Sequence, residues 1–222
     1  MGGSIPNNDR MHNNSKMMRH VIYTLLICLM PLAATAQATD QQKAIQYISR
    51  EAAAMKSMQA DFVQTKHLKM LGDKMVSQGT MHYRQAGKLR WEYTSPYAYT
   101  FILNGQKVTV RKGQRQDVID VNSNKMFREI ARIMMNSMVG TLITDSKTFK
   151  VGMETSAQAY TATLIPQRKD MKQMFTKIVL VFSRKTATIS SVQMYERNGD
   201  HTDITLKNVR TNVALSDKLF AM

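Results

Sequence analysis

The spacing of apolar residues changes twice along this chain, and each change marks a change of secondary structure. Between residues 40 and 57, Ala44, Ile45, Ile48, Ala52 and Met55 recur at helical spacing on one face of a polar stretch, with Asp40 placed to cap it. A stripe that narrow predicts a helix laid on a sheet. From Gln59 the period becomes two: Ala60, Phe62 and Gln64 alternate with Asp61, Val63 and Thr65 up to a turn at Gly72-Asp73. Strands are then expected at 74–84 (Gly79 a bend or bulge), 88–94, 97–103 (turned by Asn104-Gly105), 107–111 and 117–121.

Residues 123–139 break the meander. Ser123 is a candidate cap, Met126, Phe127, Ile130, Ile133, Met134 and Met138 make a wide apolar face, and Gly140 suits the C-terminal end. Strands resume near 147–153, 159–166, 176–184, 188–197 and 201–210, with a short helical turn at 169–174 and a hairpin at Asn198-Gly199-Asp200. In the tail, Ser216 to Phe220 reads as a capped turn that tucks Leu219 and Phe220 onto the sheet. Short strands every 8–12 residues mean antiparallel pairing. The expected class is α+β, mainly β: one long curved antiparallel sheet of about ten or eleven strands, with two amphipathic helices laid on its concave face to enclose an apolar space. So large a sheet curls rather than staying flat.

The N-terminus follows another logic. Residues 1–16 are polar, Met17 to His20 form a short basic stretch, Val21 to Leu32 are apolar, and Ala34-Thr35-Ala36 places small residues before Gln37. That order is the pattern of a secretory signal peptide, and the run is too short for a spanning helix. A short buried helix is the bland alternative. The expected division is an extension and signal over 1–36, cleaved after Ala36, and a single domain over 37–222. Cys28 is the only cysteine and falls within the signal, without the small residues that precede a lipidated cysteine. The processed chain would then hold no disulfide, thiol nucleophile or cysteine metal site.

Charge adds little until the compartment is considered. The chain carries 31 basic and 16 acidic residues; removing Arg10, Lys16, Arg19 and Asp9 with the leader leaves a net charge of +13. Export excludes nucleic acid as a partner and favours anionic membrane surfaces or an acidic partner face. Of 19 methionines, 14 follow residue 36, and five of these (Met126, Met134, Met135, Met138, Met153) lie in or just after the central helix. Methionine re-packs around ligands of variable shape, though it equally fills ordinary cores.

Catalytic patterns are missing. His67, His82 and His201 lie in no H-x-x-x-H or H-E-x-x-H spacing, and there is no G-x-S-x-G or glycine-rich phosphate loop. No enzyme activity, metal or cofactor is expected, although a Ser/His/Asp set assembled only by folding would be invisible at this level.

The order of motifs from Gln59 to Val110 narrows the reading. Phe62-Val63-Gln64 follows the first helix; then come Gly79 with its alternating strand, Gly87-Lys88-Leu89-Arg90-Trp91-Glu92-Tyr93 with Pro96, and Phe101 to Val108 around Asn104-Gly105-Gln106-Lys107. This series resembles the outer-membrane lipoprotein carrier family, LolA, which has an F-x-Q strand, a G-K-x-R-W-x-Y…P strand and a (D/N)-G-K hairpin in that order. The resemblance covers residues 40–220 in outline, with specific motifs in about 50 of them. It implies an unclosed, curved antiparallel β half-barrel whose concave face is covered by helices as a lid, and a monomeric periplasmic carrier of a Gram-negative bacterium. Such a carrier takes acylated lipoproteins from an inner-membrane lipoprotein-extracting ABC transporter and passes them to an outer-membrane receptor.

On that reading a lipid-binding cavity is expected from Phe62, Met81, Trp91, Tyr93, Phe101, Leu103, Met126, Phe127, Ile130, Ile133 and Met134. Family members often carry Arg-Pro before the G-K-x-R-W strand, the arginine locking the lid through helix carbonyls. Here Gln85-Ala86 stands at that place, with Arg84 one position earlier on the opposite strand face. Arg84 and Gln85 are the candidate lid lock. The chain also runs only to Met222, without the longer C-terminal extension of some members. The alternative function is a periplasmic lipid or lipoprotein sensor with the same fold; a secreted hydrolase is a third reading.

Overall fold

The computed structural model describes residues 32–121 and 125–221, and the elements follow from the periodicities above. Helix α1 spans Leu32–Ala54, so Asp40 lies within it rather than at its cap, and it stops three residues before the expected end. The Ala36-Gln37 cleavage point falls in this helix, whereas Ser123 lies outside the described residues. Eleven strands follow: β1 (Ser57–Leu68), β2 (Asp73–Arg84), β3 (Lys88–Ser95), β4 (Tyr99–Asn104), β5 (Lys107–Lys112), β6 (Arg115–Asp120), β7 (Phe149–Thr155), β8 (Ala159–Pro166), β9 (Phe175–Ser183), β10 (Ile189–Glu196) and β11 (His201–Thr211). Helix α2 (Lys125–Met138) interrupts them after β6, and the short α3 (Lys169–Met174) precedes β9. No helix among the described residues is long and apolar enough to cross a membrane.

All eleven strands join one unclosed antiparallel sheet in the order β6-β5-β4-β3-β2-β1-β11-β10-β9-β8-β7. Two meanders run outward from a central seam where the first and last strands pair, Phe62 opposite Leu206 and Gln64 opposite Ile204. The outermost strand β6 is short, charged and largely exposed, which discourages edge-to-edge pairing.

Alternation places one apolar face inward across the whole sheet. Rows such as Phe62–Gly79–Tyr93–Tyr99 and Ala60–Met81–Trp91–Phe101–Val110 run one way from the seam, and Ile204–Val192–Leu180–Ala162 runs the other. Gly79 sits within the first row at a register shift. A Cβ there would lie 1.8 Å from the Glu92 carbonyl oxygen and 2.9 Å from Phe62 Cζ, so only glycine fits beneath the Phe62 ring.

On α1, Ala44 and Ile48 are buried, and Tyr47 meets Tyr160 edge-on at 6.2 Å. Gly140, in the left-handed region (φ +66°), ends α2 where a Cβ would press within about 3 Å of Ile48 and Phe182. The tail packs as expected: Ser216 caps a 3-10 turn at Asp217–Phe220, and Phe220 is fully buried while Leu219 is half-buried.

Candidate functional site: an apolar cavity beside the central seam

On the inner face the two halves of the sheet are filled differently. Around β2 to β5 the side chains pack on one another. Phe62 stacks on Trp91 at 4.4 Å and meets Tyr93 edge-on at 5.1 Å, with Met81, Phe101 and Leu103 buried among them. Beside the seam the layer opens into a cavity of about 730 Å³. Trp91 and Tyr93 bound it from β3, Met194 and Ile204 from β10 and β11, Ile133 and Met134 from α2, and Met174 and Phe175 from α3 and β9. Gln64, Lys66, Gln173, Glu196, Arg197 and Asn198 add polar groups, of which Gln173, Arg197 and Asn198 are exposed. The volume lies within the usual range for small-molecule sites.

Of the expected cavity residues, Trp91, Tyr93, Ile133 and Met134 line this space. Phe62, Met81, Phe101 and Leu103 belong to the packed core instead, because the aromatic rows of β1 to β4 leave no room between them. Met126, Phe127 and Ile130 lie outside the residues whose side chains are described. Sequence reasoning missed Met174, Phe175, Met194 and Ile204. They come from elements far beyond β1 in the chain, and only the β1–β11 pairing brings them alongside Gln64.

Two polar pairs stand at the cavity, while the buried Trp91 Nε1–H has no hydrogen-bond partner among the described residues. The Tyr93 hydroxyl donates to Gln64 Oε1 at 3.0 Å, and burial pushes the Tyr93 phenol up, so it stays a neutral donor at physiological pH. Lys66 Nζ pairs with Glu196 Oε1 at 3.2 Å, an ion pair that reaches from β1 to β10 across the intervening β11. Helix α2, which supplies one wall, is anchored by a charge network. Glu129 (7% exposed) accepts from Arg132 at 2.9 Å and from Arg168 at 3.2 Å, and Arg132 reaches Asp145 at 2.9 Å. Burial raises the Asp145 pKa, but hydrogen bonds from the Thr148 hydroxyl and amide and from Arg132 outweigh it and hold the carboxyl below its usual 3.8.

The candidate lid residues divide. Arg84 is aimed at the C-terminal turn: it donates to the Leu215 carbonyl at 3.2 Å, pairs with Asp217, and lies 5.1 Å over the Phe220 ring. Among the described residues it makes no bond to an α-helix carbonyl, since the one-residue offset turns its side chain to the other face of β2. Gln85, in the following turn, donates Nε2 to the Ala53 carbonyl in the last turn of α1 at 3.2 Å.

The histidines that no sequence spacing linked are brought together by register. His67 of β1 and His201 of β11 face each other, their rings parallel at 4.0 Å, with His67 Nε2 3.2 Å and His201 Nε2 3.7 Å from Asp203 Oδ2. Two nitrogens and a carboxylate oxygen are the right donor types for a metal ion. Parallel stacked rings, however, aim their lone pairs side by side instead of converging, so a tetrahedral ion would require one ring to turn.

Comparisons with known proteins agree with this architecture. Residues 53–222 match the family model described as outer membrane lipoprotein carrier protein LolA. Named outer-membrane lipoprotein carrier proteins are similar at modest identity. That of Methylococcus capsulatus is 22% identical over 202 residues, 91% of each chain, and that of Chromobacterium violaceum is 26% identical over 194 residues, 86% of this chain and 88% of the other. Among solved structures, an uncharacterized conserved protein from Thermus thermophilus matches with a TM-score of 0.51 at 9% identity, over 82% of this chain and 93% of that one. MucB matches with a TM-score of 0.50 at 11% identity, over 83% of this chain and 63% of that one. At such identities the two structures share a fold and nothing more. With the family model spanning most of its length and its sheet left unclosed around an apolar cavity, the chain belongs to the outer membrane lipoprotein carrier family, LolA.

Proposed function

We propose that this protein is a periplasmic carrier that takes the acyl chains of lipoproteins into the cavity beside the seam and moves them from the inner to the outer membrane. The observation that carries the reading is the cavity itself: an apolar space of about 730 Å³ walled by methionine, isoleucine and aromatic side chains. Burying a methylene stabilises by about 0.8 kcal/mol, so a long acyl chain gains roughly 10 kcal/mol by leaving water. A carrier must also release it. Met134, Met174 and Met194 can re-pack as cargo enters and leaves, and a helical wall held by ion pairs can part from the sheet without disturbing its ladders. Gln85, donating to the end of α1, serves as a neutral counterpart of the lid lock.

On this reading the protein works by binding and not by catalysis. Its cargo is handed over by an inner-membrane ABC transporter and delivered to an outer-membrane receptor. The test is direct. Protein recovered from periplasmic extract is examined by native mass spectrometry for acylated ligand, then added to inner-membrane spheroplasts. Appearance of newly made lipoprotein in the soluble fraction, in a one-to-one complex, is expected. Absence of both ligand and release would remove the carrier reading and leave a lipid sensor built on the same sheet.

A further inference from the structure

The β1–β2 hairpin carries apolar side chains that its own fold does not use. Met70 is 92% exposed, Leu71 74%, Met75 55% and Val76 51%, and these are four of the seven large apolar side chains most exposed among the described residues. Met75 and Val76 point to opposite faces of β2, yet both lie in water, so this part of β2 is exposed on both sheet faces while β1 stays paired with β11 as far as His67. The turn closes through backbone bonds, Leu71 N–H to the Leu68 carbonyl and Gly72 N–H to the Lys69 carbonyl, with Gly72 in the left-handed region. Nothing in that geometry asks for methionine or leucine, where turns ordinarily take polar residues. A clustered apolar tip on a water-facing surface marks something it meets.

We propose that this hairpin is a membrane-docking element whose tip enters the surface of an anionic bilayer and sets the cavity mouth against it. Three observations choose lipid over protein. First, the tip carries Lys69 and Lys74 against Asp73, Lys66 being paired with Glu196, on a chain of net charge +15, or +13 without residues 1–36, which suits anionic headgroups around an apolar tip. Second, the tip spans about half a dozen residues, whereas a stable protein interface takes about 20–30 a side. Third, the tip is moored beside the cavity. Lys69 N–H donates to Asp200 at 2.9 Å, and the Lys69 side chain lies against Gly199, fixing the hairpin to the 197–200 turn whose Arg197 and Asn198 line the cavity with Lys66. Cargo would then pass between the cavity and a partner seated in that bilayer by a short path along the membrane surface. The inference rests on the carrier reading and deepens it by naming the surface at which cargo changes hands.

The test uses protein exported and recovered from periplasmic extract, with Cys28→Ser and Leu71→Cys so that an environment-sensitive fluorophore sits at the tip. With vesicles containing phosphatidylglycerol we expect a blue shift and quenching by lipid-borne quenchers. Partitioning should be at least roughly tenfold stronger than with phosphatidylcholine alone. In an unlabelled background, Met70→Glu with Leu71→Glu should weaken vesicle flotation at least roughly tenfold, while the melting temperature and the acyl ligand seen by mass spectrometry stay unchanged. An unshifted probe at saturating vesicles, or a double variant that floats like its parent, overturns the proposal. So does a double variant that loses cargo and flotation together, since the hairpin would then be part of the cavity. Docking without acyl ligand in either protein would support the hairpin's role while removing the carrier reading.

Discussion

The two sides of the seam use the same device to different ends. From β1 to β4 the inward rings meet one another: Phe62 stacks on Trp91, Tyr93 meets Phe62 edge-on, and Tyr99 lies tilted against Tyr93. From β11 toward β9 the inward rows carry Ile204, Thr202 and Met194, which are thinner or more flexible, and the helices above them do not close the gap. An alternating sheet face specifies which side is apolar. Whether that side becomes a core or a cavity depends on side-chain volume and on what is laid across it.

The comparison can be broken most forcefully on the filled side. Gly79→Ala would drive a methyl into the Glu92 carbonyl and the Phe62 ring, and we expect a loss of about 3 kcal/mol or more, read as a large drop in denaturation midpoint. On the open side the expected pattern is reversed. Met134→Glu or Met194→Glu should change stability by no more than about 1 kcal/mol, because both side chains are already part-exposed, yet lower acyl occupancy at least roughly tenfold.

The wall between the two states is sharpened by its anchors. Glu129→Gln removes the charge that Arg132 and Arg168 share and should cost about 1–3 kcal/mol, with faster amide exchange in α2 than in the sheet. Acid should give a weaker version of the same effect. Because the folded carboxyl of Asp145 sits below its ordinary 3.8, its contribution is present above that value and fades as pH falls through the lower folded pKa. Amide protection factors in α2, corrected for the intrinsic slowing of exchange in acid, should therefore fall ahead of those in the sheet as pH drops below about 4, and Asp145→Asn should abolish the difference.

Much of the fold was legible from local patterns. The hairpins at Gly72-Asp73, Asn104-Gly105 and Asn198-Gly199-Asp200, the helix ending at Gly140 and the capped turn at Ser216 are set by residues within a few positions of one another. Boundaries slipped at α1, which is already helical at Leu32 and ends at Ala54. The candidate site was legible only in part. Trp91, Tyr93, Ile133 and Met134 line the cavity, but Phe62, Met81, Phe101 and Leu103 share the same alternation and are consumed by the core.

By itself, then, the sequence determined the elements, the apolar face of each strand and the family motifs from Phe62 to Val108, because those depend on short-range spacing and backbone sterics. Only the tertiary structure decided that β1 pairs with β11, that Met194 and Ile204 stand beside Gln64, that His67 faces His201, and that Arg84 holds the tail while Gln85 holds α1. Those outcomes turn on which distant strands share a ladder and on how volumes fill a common space, and neither quantity is carried by any one stretch of chain.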